Sequence, residues 1–238
     1  SIHSNLSFDM AYYTDTPGAI TQELRKWEKQ YARPLAASRP THNNDRNADR
    51  RLRVGYVSAD FHGHAVGFFI QPLLAAHDRA QVEIFGYANG DGAAQTIAHL
   101  HGLADVWRNI AGMTDEAVAQ LIASDRIDIL IDLSGHTSNN RLLVFARKPA
   151  PIQMTYLGSV TSSGMPAMDY RLLDRLLAPP DGAEWSSETV IRLPGYFACY
   201  RPPADAPPVG PLPAAAAERL NVLFITMDDM SCDSVGAY

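Results

Sequence analysis

From Arg51 onward the chain alternates short apolar runs rich in β-branched residues with stretches of helical spacing. Few architectures accept that alternation. "LRVGYVSAD" is a short apolar run, "GFFIQPLLAAHD" has helical spacing, "QVEIFGYANGD" is a second run and "TIAHLHGLADVW" a second, weaker helical stretch. "DEAVAQLIASDR" and "IDILIDLSGH" continue the series, and "PIQMTYLG", "MDYRLLD" and "TVIRLPG" add further strand candidates. Strand-like runs joined by helices make βαβ units, and near-continuous apolar strands are those buried on both faces. The expected class is therefore α/β, a parallel sheet flanked by helices.

With 238 residues, 46% hydrophobic and 19% charged, the chain is long enough and apolar enough to build such a core. A net charge of -6 offers no general attraction for phosphate backbones, so nucleic acid and anionic membrane surfaces are poor partners. No apolar run approaches the roughly 18 residues a membrane span needs. The two cysteines, Cys199 and Cys232, are too few for a disulfide framework, which suits a reducing compartment and gives cytoplasm as the expected location.

Ahead of the alternation, "TQELRKWEKQYARPL" places Leu24, Trp27 and Tyr31 on one face of an amphipathic helix that Pro34 should end. "ASRPTHNNDRNADRR" lacks periodicity and has the composition of a linker. The prolines of "YRPPADAPPVGPLPAAAAERL" mark a second boundary. The expected modules are residues 1–50, 51–200, 201–219 and 220–238.

In an open parallel sheet the ligand crevice lies at the carboxyl ends of the strands. "VSADFHGHAVGFF" puts Asp60, His62 and His64 there after the first strand, with Gly63 and Gly67 allowing close backbone approach. "ILIDLSGHTSNNRLLVFARKP" repeats the arrangement after a later strand, with Asp132, Ser134, His136 and Thr137 ahead of a helix expected near Asn140. The plainer readings are that Asp60 caps one helix, Thr137 or Ser138 caps the other, and the histidines are polar loop residues. Arg141, Arg147 and Lys148 read as solvated or phosphate-seeking surface charges. Two histidines and one carboxylate in a short loop do not specify a tetrahedral metal site. Gly-x-Ser-x-Gly and Walker-type motifs are absent from the sequence.

"RLRVGYVSADFHGHAVGFFIQPLL", "DILIDLSGHTSNNRLLVFARKPAPIQMTYLG", "GMPAMDYRLLDRLLAPP" and "RLPGYFACYRPP" together resemble the amino-terminal catalytic lobe of O-linked N-acetylglucosamine transferases, the SPINDLY-like glycosyltransferases of family 41, particularly their bacterial members. The resemblance runs from about Asn5 to about Ala215, and "SNLSFDMAYY" is similar to the segment joining that lobe to tetratricopeptide repeats. It implies a Rossmann-like lobe of a two-lobed GT-B enzyme that moves N-acetylglucosamine from a uridine diphosphate donor to a Ser or Thr hydroxyl of a protein or peptide, with inversion and without a cofactor or metal. His64 matches the family's active-site histidine, Thr137 a residue lining the same pocket, and Leu157 and Gly158 the loop beside the sugar; Asp60, Asp132 and His136 are further members of the crevice. The family's Tyr-Pro-Gly after that glycine is here Ser159, Val160 and Thr161. The family's second lobe, which supplies most contacts to uridine and diphosphate, has no counterpart in the sequence, so little transfer is expected from these residues alone.

"NVLFITMDDMSCDSVGAY" resembles instead the first strand and loop of sulfatases and alkaline-phosphatase-like hydrolases. That resemblance implies Asp228 and Asp229 as ligands of a divalent cation, although two carboxylates make only part of the roughly six-oxygen shell calcium or magnesium takes. A hydrolase fragment, or a non-catalytic module that binds other proteins, are the alternative functions.

Overall fold

A computed structural model describes residues 2–13, 17–47, 49–90, 99–178, 186–202 and 205–207. Two helices lead, α1 (Ile2–Tyr13) and α2 (Pro17–Trp27). The helical path then changes pitch instead of ending at Pro34: a π turn spans Glu28–Ala32 and a 3-10 turn Arg33–Ser38. Pro34 sits at the start of that 3-10 turn, where a missing N–H costs nothing.

The sheet follows as β1 (Leu52–Ser58), β2 (Val82–Ala88), β3 (Val106–Asn109), β4 (Ile129–Asp132), β5 (Ile152–Thr155), β6 (Tyr170–Leu173) and β7 (Thr189–Arg192). Helix α3 (Ala65–Ala76) joins β1 to β2, α4 (Asp115–Ser124) joins β3 to β4, and the short α5 (Leu142–Ala146) joins β4 to β5. The seven strands lie in the order β3-β2-β1-β4-β5-β6-β7, and every pairing is parallel. The α/β parallel sheet expected from the alternation is therefore present.

Side chains alternate between two cores. Val54, Tyr56, Ile84 and Ile131 point to the face covered by Ile70 and Leu74 of α3. Val57, Phe85, Tyr87 and Leu130 point to the other, where Trp27, Val118, Ile122 and Phe145 meet them. Successive strand residues face opposite ways, so both faces being covered explains the near-continuous apolar runs.

Two sequence expectations change. Val106 and Trp107, assigned to a weak helix, belong to strand β3. Asp105 accepts from Ile84 N at 2.7 Å, and the Trp107 ring lies over Gly86, where a Cβ would stand only 2.3 Å from it. Pairing with β2 overrides the local spacing. After the 3-10 turn, the described residues of the segment read as a linker form neither helix nor strand, yet they are tied down: Asp128 accepts from both terminal nitrogens of Arg50 (2.7 and 2.6 Å), from Asn44 Nδ2 (2.6 Å) and from Arg53 N (2.8 Å).

Candidate active site

The strand order reverses between β1 and β4, since β2 and β3 extend to one side and β5 to β7 to the other. Chains leaving these two strands turn in opposite directions and open a crevice at the carboxyl rim. The loops after β1 and β4 flank that switch point, and the loop after β5 is the next neighbour. They carry His64, Thr137 and Leu157–Gly158 respectively.

His64 is the N-cap of α3, in extended conformation, and Val66 N donates to its Nδ1 at 3.3 Å. Capping thus falls to the histidine, not to Asp60, whose own N–H donates to Ser58 Oγ at 2.9 Å. His64 is half-buried, its ring centroid is 5.6 Å from that of His62, and His62 Nε2 lies 3.7 Å from Asp60 Oδ1. Gly67 seats the loop on the helix, because a Cβ there would stand 2.2 Å from the His62 carbonyl oxygen.

The loops after β4 and β5 touch through their backbones. A Cβ on Gly158 would lie 2.2 Å from the Leu133 carbonyl oxygen, and one on Gly135 would lie 2.7 Å from Ser159 Cβ. Leu157 takes a left-handed φ of 63°, which for a residue with a branched side chain costs about 1 kcal/mol or more. Gly158 N donating to Tyr156 O at 2.8 Å closes the turn that demands it. Thr137 is half-buried and its hydroxyl donates to Ser134 O at 2.8 Å, so it shapes its own loop instead of capping α5. The side chain at the helix start is Asn140, whose Oδ1 accepts from Leu142 N at 3.3 Å.

Asp132 and His136, expected to line the crevice, are interior. Asp132 is fully enclosed and accepts from Ser134 N (3.2 Å), Gly135 N (2.8 Å) and Thr155 Oγ1 (2.9 Å). Burial pushes its carboxyl up to about 6, against the pull of those donors. His136 is 1% exposed, with Nδ1 2.8 Å from Ser4 Oγ and Nε2 2.9 Å from Ser163 O, while Trp27 meets its ring edge-on at 4.8 Å. Burial holds it down at about 4, so the ring is neutral. Both side chains are spent on fixing loop shape.

Several contributors were not visible in the sequence pattern. Arg141, taken for a surface charge, donates to Met113 O (2.9 Å), Asp115 Oδ1 (2.8 Å), Asn89 Oδ1 (2.7 Å) and Ile110 O (3.0 Å). Lys148 is likewise engaged, with Ala167 O and Asp169, and Arg147 donates to Leu143 O. Arg141 also borders a polar cavity of about 460 Å³ at the same rim, shared with Asn89, Gly90, Gly112, Asp115 and Asn139. Ser4 and Trp27 come from helices far away in the chain, and no local signal links them to His136. Among the described residues, no cluster of three or more His, Cys, Asp or Glu side chains is placed to hold a metal ion. Asp228 and Asp229 lie outside the described residues.

Comparison with known proteins bears on what this rim is. The family model described as glycosyl transferase family 41 matches residues 35–199. The probable UDP-N-acetylglucosamine–peptide N-acetylglucosaminyltransferase SPINDLY of Oryza sativa subsp. japonica is 39% identical over 199 residues, 82% of this chain and 21% of the relative. The UDP-N-acetylglucosamine–peptide N-acetylglucosaminyltransferase of Caenorhabditis elegans is 34% identical over 150 residues, 62% of this chain and 13% of its own length. A mutant of the Thermobaculum terrenum O-GlcNAc transferase superposes with a TM-score of 0.82 at 38% identity, covering 88% of this chain and 40% of that one. The chain thus spans about a fifth of the length of the SPINDLY relative. The long motifs around His64, Thr137 and Gly158 fall inside the matched region, and the chain belongs to glycosyl transferase family 41.

Proposed function

We propose that this chain forms the acceptor-side lobe of an O-linked N-acetylglucosaminyltransferase, which moves N-acetylglucosamine from its uridine diphosphate carrier to a Ser or Thr hydroxyl of a protein or peptide. The observation that carries the reading is His64, held as the cap of α3 at the β1/β4 switch point within the family-41 region. The relatives' names, as UDP-N-acetylglucosamine–peptide transferases, support donor and acceptor class.

In the transfer, the acceptor oxygen bonds to the sugar carbon as the bond to the diphosphate oxygen breaks, and the hydroxyl proton leaves to a base. His64 Nδ1 is occupied as an acceptor by Val66 N–H, so the neutral ring carries its proton on Nε2. That nitrogen donates. His64 therefore orients or polarises an oxygen, and it takes a proton only by giving up its cap. Thr137, Leu157 and Gly158 line the sugar side, with Ser159, Val160 and Thr161 giving this chain its own loop surface; Asp60 completes the mouth of the β1 loop. Uridine and diphosphate contacts, including the positive groups that stabilise the leaving group, belong to the family's second lobe.

Residues 1–238 alone accordingly bind acceptor peptide weakly and give no measurable transfer. Titrating a Ser/Thr peptide into labelled protein should move the amide signals of His64, Thr137 and Gly158. Shifts confined to the amino rim around Arg50 and Asp128 would overturn the acceptor assignment, and turnover with the UDP-sugar that disappears in His64→Ala would overturn the claim that this lobe is insufficient.

A further inference from the structure

A line of polar groups starts at Asn140, on the polar cavity of the rim, and crosses the interior between the loops after β4 and β5. Asn140 Nδ2 donates to Ser4 Oγ at 3.2 Å, Ser4 Oγ lies 2.8 Å from His136 Nδ1, and His136 Nε2 lies 2.9 Å from Ser163 O. Ser163 then donates both its N–H (2.7 Å) and its hydroxyl to Glu188 Oε1. Ser162 Oγ (2.7 Å) and Ser186 Oγ (2.8 Å) donate to Oε2 of the same carboxylate. Ser4, His136, Ser163, Ser162 and Glu188 are 2, 1, 2, 5 and 6% exposed, so water does not substitute for the links among them, while Asn140 and Ser186 at the margins are partly exposed.

The directions of these bonds are determined by chemistry. A carbonyl oxygen only accepts, so His136 carries its proton on Nε2. Its Nδ1 must then accept, the Ser4 hydroxyl donates to it, and the Asn140 amide fills the serine's acceptor site. Glu188 closes the other end, because a carboxylate can accept from four donors at once. Arg171, buried beside it, donates to Val160 O at 3.2 Å in the same crossover segment and adds a positive charge near Glu188.

The His136–Ser163 bond joins two of the rim loops. His136 is one residue from Thr137, and Ser163 lies in the crossover that begins at Gly158. We propose that His136 and Glu188 are positioning residues that lock the loops after β4 and β5 into one register, with His136 held as the Nε2–H tautomer. The importance of that register for sugar transfer rests on the function proposed above; the lock itself does not. A histidine kept only as aromatic filler would tolerate an apolar ring of similar size. A lock would not.

The test uses the 238-residue chain and two readouts that require no turnover. Nitrogen NMR of the His136 ring should show a protonated Nε2 and an unprotonated Nδ1 throughout pH 6 to 8. Amide exchange at Gly135, Thr137 and Gly158 should rise at least tenfold in His136→Phe and in Glu188→Gln, while the amides of β1 and β2 keep their wild-type rates. His136→Gln, whose side-chain amide can still donate to Ser163 O, should recover part of that protection. The opposite ring tautomer, exchange in His136→Phe within twofold of wild type, or a rise spread evenly over the sheet would overturn the proposal. Should His136→Phe fail to fold, Ser4→Ala removes one hydroxyl from the line and is judged by the same three amides. A chain that shows the tautomer and the exchange pattern but no peptide response retains the lock and loses the functional reading.

Discussion

Arg141 Nη2 donates to Asn89 Oδ1 across 2.7 Å, joining the residue after β2 to the start of α5. The same guanidinium reaches Asp115 in the first turn of α4, so one planar group braces three connections at the carboxyl rim. Lysine has one nitrogen and no fork with which to repeat this. Arg141→Lys should destabilise the fold by about 2 kcal/mol, since it strands acceptors that are only part-exposed. Urea unfolding measures it, and a loss below about 0.5 kcal/mol would show that water replaces the guanidinium.

The contact between Gly158 and the Leu133 carbonyl separates two glycines that look equivalent in sequence. Gly158→Ala forces backbone apart and should cost about 2–3 kcal/mol, the range expected for overpacking. Gly63, in the His64 loop, has nothing within 4 Å of where a Cβ would go, and Gly63→Ala should stay within about 0.5 kcal/mol of wild type. Equal midpoints for the two variants in the same denaturation series would contradict the close approach.

Capping and chemistry at His64 are separable by substitution. Asparagine accepts from the helix amide as well as histidine does, whereas alanine cannot, so His64→Ala should lose about 1 kcal/mol and His64→Asn almost none. Peptide binding should weaken in both. A His64→Asn protein as destabilised as His64→Ala would mean that the Val66 amide is satisfied by something else.

Asp132 and His136 should pull stability in opposite directions between about pH 4 and 6. For His136, folding lowers the pKa from 6.5 to about 4, so the unfolded chain binds the extra proton and stability falls as pH drops through this window. For Asp132, folding raises the pKa from 3.8 to about 6, so the folded chain binds it and stability rises as pH drops. Each slope is on the order of 1 kcal/mol per pH unit, and they offset one another. Asp132→Asn removes the compensating slope, so thermal or urea unfolding should show this variant losing stability relative to wild type as pH falls from 6 to 4. A difference that is constant with pH would refute the assignment.

What could be read from the chain, and what could not, divides along the range of the forces involved. The alternation of β-branched runs with helical spacing is set by burial on both faces of a parallel sheet, a property of each segment, and it led directly to the α/β class. The rim loops were legible for the same reason: a polar stretch after a buried strand has to emerge at an end of the sheet. Trp107 was misplaced because its strand exists only through pairing with β2. Arg141 and His136 were misread because their partners, Asn89 and Ser4, lie 52 and 132 residues away. Composition also marked Asn44 and Arg50 as linker, and only the folded chain brings Asp128 to them.

The backbone of Gly158 rests directly on the carbonyl of Leu133, so the gap between two neighbouring loops is set there by main-chain van der Waals contact. The next three residues, Ser159, Val160 and Thr161, are at least partly exposed, with Val160 at 50%. Ser159 packs against Gly135, whereas substitution at the exposed Val160 changes the loop's surface and leaves the Gly158 contact alone. The scaffold is in that sense calibrated once, and the loop's outer surface is upholstery that can be changed without refitting the frame.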